Sequence, residues 1–380
     1  MTIKSVSFSS GYALSHKILA GFVFSILAGL TVGAPSAFAQ DKPMSSNTQH
    51  VELPRVLLLA TGGTIAGSAD NRGTGAYNAG AIGPQQLVDA VPGLKDLASI
   101  SAEQIASIGS QDMSDEIWFK LANRIQQAFD KNEADAVVIT HGTDTMEETA
   151  FFLDLVLKSD KPVVLVGSMR PATGLSADGP ANIYEAVQVA TDKQSKGRGA
   201  LVVMNEQIDG ARGVTKTHST SVQTMQSPNL GSLGYVDMGH VRYVQPFDTG
   251  RPTPLALPQG SALPRVEIVY SHANMDAKQI EHAIEDKAKG IILAGKGDGN
   301  TSKQALAALE KAAAQGIVVV RSTRVSKGYV NRNIEVDDTK SGFVASMDLN
   351  PQKSRILVQL LIANGVTDPA KVQAAFTNAR

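Results

Sequence analysis

The sequence has 380 residues, with 35 Lys and Arg against 36 Asp and Glu, and it contains no cysteine. A hydrophobic content of 43% with 19% charged residues is that of a globular protein and excludes wholesale disorder or a collagen-like chain. The formal charge of -1 provides no general attraction to nucleic acid or to an anionic membrane. Without cysteine there is no thiol nucleophile, no cysteine-ligated metal site and no disulfide.

The first 39 residues have the pattern of a secretory signal peptide. Lys4 and Lys17 precede an apolar stretch at residues 18–30, and Ala37 and Ala39 form a small-x-small cleavage site. The apolar stretch is shorter than the ~20 residues that span a bilayer, which disfavours a membrane anchor. We therefore predict cleavage after Ala39 and export of the mature protein to the periplasm, with no membrane attachment after cleavage.

Short, continuously apolar runs alternate with helical patterns along the rest of the chain. The runs are residues 55–60, 136–140, 163–167, 200–204, 266–270, 290–294 and 316–320. Such runs are typical of parallel strands that are buried on both faces. Helices are predicted after Ser114, over residues 276–289 and 302–315, and from Pro351 to near Gly365. This alternation predicts an α/β fold.

A stretch rich in proline and glycine at residues 245–264 shows neither helical nor strand periodicity. We interpret it as a linker. The predicted organisation is a flexible lead-in at 40–53, a larger N-terminal catalytic domain at 54–244, and a smaller C-terminal α/β domain at 265–380. The larger domain is expected to contain a mainly parallel sheet flanked by helices.

Two apolar runs end in the same pattern, Thr-x-Gly-Thr, at residues 61–64 and 140–143. Ligands of open α/β sheets bind beyond the carboxyl ends of the strands, so both segments are expected to face one crevice. The first segment is not a phosphate-binding loop, because Ser68 rather than lysine follows Gly67. From the residues alone, a ligand-binding loop and a simple tight turn are equally good interpretations. The glycine-rich, polar residues up to Tyr77 favour a mobile flap.

The second segment allows a metal site formed by His141, Asp144 and one glutamate. Glu147 and Glu148 are better explained as acids in the first turn of a helix, and no metal-ligand spacing accompanies them. The Gly-x-Ser-x-Gly elbow of serine hydrolases is absent, so threonine is the leading candidate for a nucleophile. Lys216 lies in a basic loop and is either a proton partner for a hydroxyl or a solvated surface lysine.

Several blocks together resemble the signature of bacterial type II L-asparaginases, the periplasmic branch of the asparaginase/glutaminase family. They are residues 61–67 (TGGTIAG), 109–113 (GSQDM), 141–148 (HGTDTMEE), 214–217 (VTKT), 335–338 (EVDD) and 349–353 (LNPQK). The resemblance extends from about residue 54 to the C-terminus. The first and third of these blocks in this order are highly specific.

The resemblance implies hydrolysis of L-asparagine to L-aspartate and ammonia through a threonine acyl-enzyme, without a metal or an organic cofactor. By motif position Thr64 is the nucleophile, with Tyr77 on the flap beside it. Thr143, Asp144 and Lys216 form a second catalytic group that manages protons. Backbone N–H groups near Gly63 and Gly142 are expected to stabilise the oxyanion.

The resemblance also assigns the substrate contacts. Ser110 and Gln111 hold the substrate α-carboxylate, and Asp144 helps to hold its α-ammonium group. Asn274 and Glu335 complete the pocket of a neighbouring subunit in a homotetramer. The regions around Asn274 and Glu335 vary within the family, which leaves open an enzyme with substantial L-glutamine hydrolysis. A periplasmic amino-acid binding protein is the alternative outside the enzymes.

Overall fold

The computed structural model describes residues 52–70, 76–246, 253–260 and 262–378. The predicted signal peptide and most of the predicted lead-in lie outside the described residues. Within them, no helix combines the length and the apolar character that a membrane span requires.

The described strands are β1 (Arg55–Gly62), β2 (Ser68–Ala69), β3 (Tyr77–Asn78), β4 (Ser99–Ile108), β5 (Ala136–Thr140), β6 (Val163–Val166), β7 (Ala200–Met204), β8 (Gln207–Gly210), β9 (Thr215–Lys216), β10 (Met225–Gln226), β11 (Gly234–Asp237), β12 (His240–Tyr243), β13 (Val266–Tyr270), β14 (Gly290–Gly295), β15 (Val318–Thr323) and β16 (Phe343–Ala345). The α-helices are α1 (Pro84–Asp89), α2 (Leu94–Leu97), α3 (Asp115–Asp130), α4 (Met146–Val156), α5 (Gly179–Thr191), α6 (Lys278–Glu285), α7 (Lys303–Ala314), α8 (Asp338–Ser341), α9 (Pro351–Ala363) and α10 (Pro369–Asn378). Short 3₁₀ helices lie at Thr64–Ala66, Ser110–Asp112 and Lys193–Ser195.

The larger sheet has the strand order β12-β11-β8-β7-β6-β5-β1-β4. The strands from β7 to β4 run parallel, and β8, β11 and β12 extend the sheet by antiparallel pairing. The strands β5, β6 and β7 are buried along their whole length, as expected of strands covered on both faces. This arrangement confirms the mainly parallel sheet; the antiparallel edge was not predicted.

The order of the strands reverses at β1. The chain leaves β1 to form β4 on one side and then returns to form β5 on the other side. A crevice opens at such a reversal, beyond the carboxyl ends of the two diverging strands, and it is the usual ligand site of open α/β sheets. The two Thr-x-Gly-Thr segments lie at this position, because they end β1 and β5.

The smaller sheet, in the order β13-β14-β15-β16, is parallel throughout. Helix α6 packs against β13 and α7 packs against β15. Helix α9 packs against β13, β14 and β15, and it also contacts α4 of the larger part. The C-terminal α/β architecture is therefore confirmed, and α9 lies where the two parts meet.

The predicted helix starts are confirmed by their caps. Ser114 Oγ accepts the Ile117 N–H at 3.4 Å, and Asn350 Oδ1 accepts the Lys353 N–H at 3.0 Å. The predicted helix at 276–289 is too long, because α6 covers only Lys278–Glu285. Lys287 beyond it has a left-handed φ of 59°, so the backbone has already left the helix before Gly290.

One hydrophobic core joins the two sheets. It includes buried residues of β1, β5 and β7 together with residues of α4, α9, β14 and β15. The described residues between β12 and β13 contain no helix or strand, and Leu255 N–H donates to Leu155 O at 2.8 Å. This stretch packs on the core that both parts share. The structure therefore does not test whether residues 245–264 separate two domains, and that boundary stays a prediction.

Candidate active site

The segments that end β1 and β5 lie against each other. Ala60 pairs with Thr140 in the parallel register, and Thr61 Oγ1 donates to Thr140 O at 2.9 Å. Gly63 has a φ of 78°, and a Cβ atom at this position would lie 2.4 Å from Gly142 Cα. Only glycine allows this close approach. The two segments are therefore in direct contact; that they face one ligand crevice stays a prediction.

Thr64 and Tyr77 form a hydroxyl pair on one side of this crevice. Thr64 Oγ1 donates to the Tyr77 phenol oxygen at 2.8 Å, and Thr64 is only 8% exposed. Tyr77 is held nearby because β2 and β3 form a small hairpin, and its ring packs so closely over Gly67 that a Cβ atom there would lie 2.7 Å from it. The tip of this predicted flap, residues 71–75, lies outside the described residues.

Thr143, Lys216 and Asp144 form a connected group on the other side. The Lys216 ammonium donates to Thr143 Oγ1 at 2.8 Å and to Asp144 Oδ1 at 2.6 Å. The Lys216 side chain is 18% exposed, which rules out the interpretation as a solvated surface lysine. Strand β9 carries Lys216 and is held by antiparallel pairing with β10. The group therefore combines a hydroxyl, a cation and a carboxylate in one hydrogen-bonded chain.

The side chain of His141 is buried and is hydrogen-bonded to Gly142, the residue before Thr143. His141 Nε2 lies 2.8 Å from Thr149 Oγ1, and that oxygen also accepts the Trp118 indole N–H at 2.8 Å. Since the Gly142 carbonyl only accepts, the proton of the neutral ring lies on Nδ1 and is donated to Gly142 O at 2.7 Å, and Nε2 then accepts the Thr149 hydroxyl proton. Complete burial lowers the pKa of His141 to about 4, so the ring is neutral at pH 7.

The geometry gives no support to a metal at this point. Both ring nitrogens of His141 have protein partners. The described part of the chain contains no group of three or more His, Asp or Glu side chains close enough to hold an ion. Glu147 and Glu148 lie in the first turn of α4, as the sequence indicated. Burial, reinforced by the neighbouring charge of Glu147, raises the pKa of Glu148 to about 7.

Ser110 lies beside Asp144 in the described structure. Ser110 is buried at the start of a 3₁₀ helix, where its Oγ accepts the Asp144 N–H at 3.1 Å and its carbonyl accepts the Thr145 hydroxyl at 2.8 Å. Gln111, the next residue, is exposed. An added Cβ on Gly142 would lie 2.6 Å from Ser110 Oγ, so the serine and the Thr143 segment are in direct contact.

Two further predictions about the site can be compared with the structure. The Gly63 N–H donates to Ile108 O at 2.7 Å and is therefore already paired; that other backbone N–H groups near Gly63 and Gly142 stabilise an oxyanion stays a prediction. Asn274 and Glu335 lie in loops of the C-terminal part. Glu335 accepts a hydrogen bond from Asn300 Nδ2, and within the described residues neither Asn274 nor Glu335 is hydrogen-bonded to the groups around Thr64 and Thr143.

Sequence reasoning missed the residues that support the Lys216 strand. Lys353 is 1% exposed, and its ammonium donates to Arg212 O at 2.8 Å and to Val214 O. A signal was present, because Lys353 has apolar Leu357 and Leu360 at helical spacing and therefore lies on the buried face of α9.

The sequence was also compared with the sequences of known proteins. The sequence profile "Asparaginase, N-terminal" matches residues 55–248, and the profile "Glutaminase/Asparaginase C-terminal domain" matches residues 265–376. A relative from Haemophilus influenzae named "Probable L-asparaginase periplasmic" is 51% identical over 86% of this chain and 93% of its own. A "Glutaminase-asparaginase" from Pseudomonas fluorescens is 39% identical over 88% of this chain and 94% of its own.

The fold of this chain is also similar to that of a solved structure. The crystal structure titled "Probable Cytoplasmic L-asparaginase" from Campylobacter jejuni matches with a TM-score of 0.81 and 45% identity, over 86% of this chain and 99% of that one. The matched sequence profiles, the identity to these relatives and the shared fold show that this chain belongs to the asparaginase family.

Proposed function

We propose that this protein hydrolyses the side-chain amide of L-asparagine to L-aspartate and ammonia through a covalent intermediate on Thr64. The observation that carries the proposal is the pair of threonines at the reversal of strand order. Each hydroxyl has a different proton partner, Tyr77 for Thr64 and Lys216 for Thr143. Family membership supports the same reaction, since the relatives at high identity are named asparaginases.

In the proposed reaction the substrate amide lies between the two threonines. Thr64 Oγ attacks the amide carbon while the proton of its hydroxyl passes to the Tyr77 oxygen and the phenol gives up its own proton towards the substrate; the C–N bond then breaks as the nitrogen takes up that proton and leaves as ammonia. Water then attacks the acyl-enzyme, which releases aspartate and restores Thr64. The Thr143–Lys216–Asp144 group supplies and accepts protons on the opposite side of the reacting carbon.

The charged ends of the substrate require separate partners. The Ser110 hydroxyl accepts from the Asp144 N–H, which leaves its own proton to donate to the substrate α-carboxylate. Gln111 adds an amide N–H from an exposed position. The Asp144 carboxylate, whose side chain is 57% exposed, offers a charge-assisted hydrogen bond to the α-ammonium group.

The direct test is ammonia release from L-asparagine by the purified protein. Release coupled one to one with aspartate supports the proposal. A periplasmic binding protein would bind the amino acid and release no ammonia, so binding without turnover would contradict it. The rates with L-asparagine and L-glutamine, measured in parallel, distinguish an asparaginase from the glutaminase-asparaginase that the Pseudomonas relative's name suggests.

We further propose a homotetramer in which Asn274 and Glu335 reach the active site of a neighbouring subunit. Glu335 is exposed and held by Asn300, so its carboxylate is presented away from the core. Exposed apolar side chains, including Tyr270 and Ile334, lie in the same C-terminal part and would be covered by association. Mass photometry tests this directly, and a monomer with full activity would contradict shared sites.

The proposed location is the periplasm, after cleavage behind Ala39. The support is the export signal in the sequence and the printed name of the Haemophilus relative, whereas the Campylobacter structure is named cytoplasmic. N-terminal sequencing of protein from a periplasmic extract tests the proposal. A mature N-terminus at Gln40 is expected, and retention of residues 1–39 in a cytoplasmic fraction would contradict it.

A further inference from the structure

The first turn of α9 contacts both segments that carry the second catalytic group. Asn350 caps the helix and also approaches the Lys216 strand, since its Nδ2 donates to Thr215 Oγ1 at 3.4 Å. The next two side chains of the turn after Pro351 are Gln352 and Lys353. These adjacent residues point to different parts of the site.

Lys353 holds the strand of Lys216. Its ammonium donates to Arg212 O at 2.8 Å and to Val214 O, which is two residues before Lys216. A lysine that is 1% exposed is costly, because its charge is removed from water. An apolar side chain of similar size would avoid this cost but would leave both carbonyls without their donor. The choice of lysine at this position is therefore explained by the two carbonyls that it fixes.

Gln352 holds the segment of Thr143 and Asp144. Its Nε2 donates to Glu147 Oε1, and Glu147 lies in the first turn of α4, three residues after Asp144. Glu147 is 3% exposed, so this contact is shielded from water. The remainder of α9 packs on the smaller sheet and on α4, which gives both contacts a rigid base.

Charged side chains of both signs surround the Lys353 ammonium. The groups that face the Lys353 ammonium are Glu147, Asp209, Arg212 and Asp348. Arg212 pairs with Asp348 through two hydrogen bonds, of 2.9 and 2.5 Å, and both side chains are largely buried. The segment that leads to β9 is thus fixed to residues just before α9 through its side chain and to Lys353 through its backbone.

We propose that Gln352 and Lys353 are positioning residues that set the 2.8 Å contact between Lys216 Nζ and Thr143 Oγ1 by tying β9 and α4 to one helix. The inference rests on the proposed function of the Thr143–Lys216 pair. Proton transfer needs short, aligned contacts, and a displacement of about 1 Å in a catalytic group lowers a rate by about 10²-fold. In the described structure neither positioning residue is hydrogen-bonded to Thr64 or to the proposed substrate anchors Ser110, Gln111 and Asp144.

The test is a double-mutant cycle between Lys353→Met and Lys216→Met. Methionine keeps the length and the apolar stem of Lys353 and removes its donors. In the wild-type background we expect kcat for L-asparagine to fall by about 10²-fold with KM within about threefold. In the Lys216→Met background, the added Lys353→Met change should lower kcat by less than about twofold, because the residue that it positions is already absent.

A matched control separates positioning from loss of stability. Leu309 is fully buried in α7, and Leu309→Ala should destabilise the fold by leaving a cavity while kcat of the folded enzyme stays unchanged. If Lys353→Met folds and keeps a kcat within twofold of wild type, the proposal is wrong. An equal loss in both backgrounds of the cycle would overturn it as well.

Gln352→Met keeps the proposal testable if Lys353→Met does not fold. It removes a single donor, and we expect kcat to fall about tenfold with the same dependence on Lys216. An unchanged kcat in this variant would contradict the role of Gln352. A different result would contradict the proposed function itself: Lys216→Met would then hydrolyse L-asparagine at the wild-type rate.

Discussion

The two threonines of the site end neighbouring strands in the same sequence pattern, yet their surroundings differ. Thr143 is bonded to a lysine and, through it, to a carboxylate, and its segment lies on a buried, neutral histidine. Thr64 is bonded to one phenol, which is carried by a short hairpin next to the flap. One hydroxyl is thus held in a fixed network, and the other depends on a partner beside the flap.

This difference in surroundings is consistent with the different roles that we propose for the two threonines. A hydroxyl that forms and breaks a covalent bond must approach the substrate, and among the described residues the Thr64 hydroxyl is hydrogen-bonded to Tyr77. A hydroxyl that relays protons needs a partner that is always in place, which Lys216 provides. Substitutions on the two sides should therefore differ in size and in kind.

The largest effect is expected for Thr64→Ala. Without the nucleophile no acyl-enzyme forms, so kcat should fall by about 10⁴-fold or more while the protein stays folded. Thr64→Ser is the matched control, because it keeps the hydroxyl and should keep measurable turnover. Ammonia release at saturating L-asparagine, with circular dichroism of each variant, gives the answer. Near-normal activity of Thr64→Ala would remove Thr64 from the role of nucleophile.

Lys216→Met tests the opposite side of the crevice. Thr143 loses its hydrogen-bonded cation, and we expect kcat to fall by about 10³-fold, within the range for loss of a general acid–base group. Lys303→Met is the control, since Lys303 is an exposed lysine in α7. Both variants are compared by steady-state kinetics. Equal activity of the two would show that the fixed network takes no part in the reaction.

Tyr77→Phe tests the side of the site that carries Thr64. The ring that packs over Gly67 is kept, and only the oxygen that accepts from Thr64 is removed. We expect a loss in kcat of about 10²-fold, smaller than that of Lys216→Met because water can replace a phenol near a flap. Thermal unfolding should be nearly unchanged. If kcat fell further in Tyr77→Phe than in Lys216→Met, the reaction would depend more on the partner of Thr64 than on the partner of Thr143, which is the opposite of our expectation.

The smallest expected effect is on the free energy of unfolding, and it concerns His141, which lies beside the Thr143 segment. The folded pKa of His141 is about 4 and the ordinary value is 6.5, so between these pH values the unfolded chain binds the extra proton. Wild-type stability therefore falls as the pH drops from 6.5 to 4, by about 3 kcal/mol from this group. In His141→Gln this loss is absent, so its stability difference from wild type should shrink towards pH 4.

Urea unfolding at pH 7, 5 and 4 measures this difference. The control is His282→Gln, which makes the same substitution at an exposed histidine of α6. A constant difference between His141→Gln and wild type over this range would mean that His141 is not held neutral in the fold.

The fold class could be predicted from local sequence patterns. Buried parallel strands are continuously apolar, and a helix cap involves residues only three positions apart. The antiparallel edge formed by β8, β11 and β12 escaped prediction, since its strands are short and partly exposed. The order of the motifs, through the family resemblance, identified Thr64, Thr143 and Lys216 as candidate catalytic residues. The buried contacts of Gln352 and Lys353 join residues that are far apart in the chain, and no local pattern specifies such pairs.

Trapping the covalent intermediate identifies which threonine is the nucleophile. Wild-type enzyme is mixed with L-asparagine, quenched with acid during turnover, digested and analysed by mass spectrometry, alongside Lys216→Met. We predict an added aspartyl group on the peptide that contains Thr64 and none on the peptide that contains Thr143. An aspartyl group on the Thr143 peptide instead would contradict the assignment of the nucleophile.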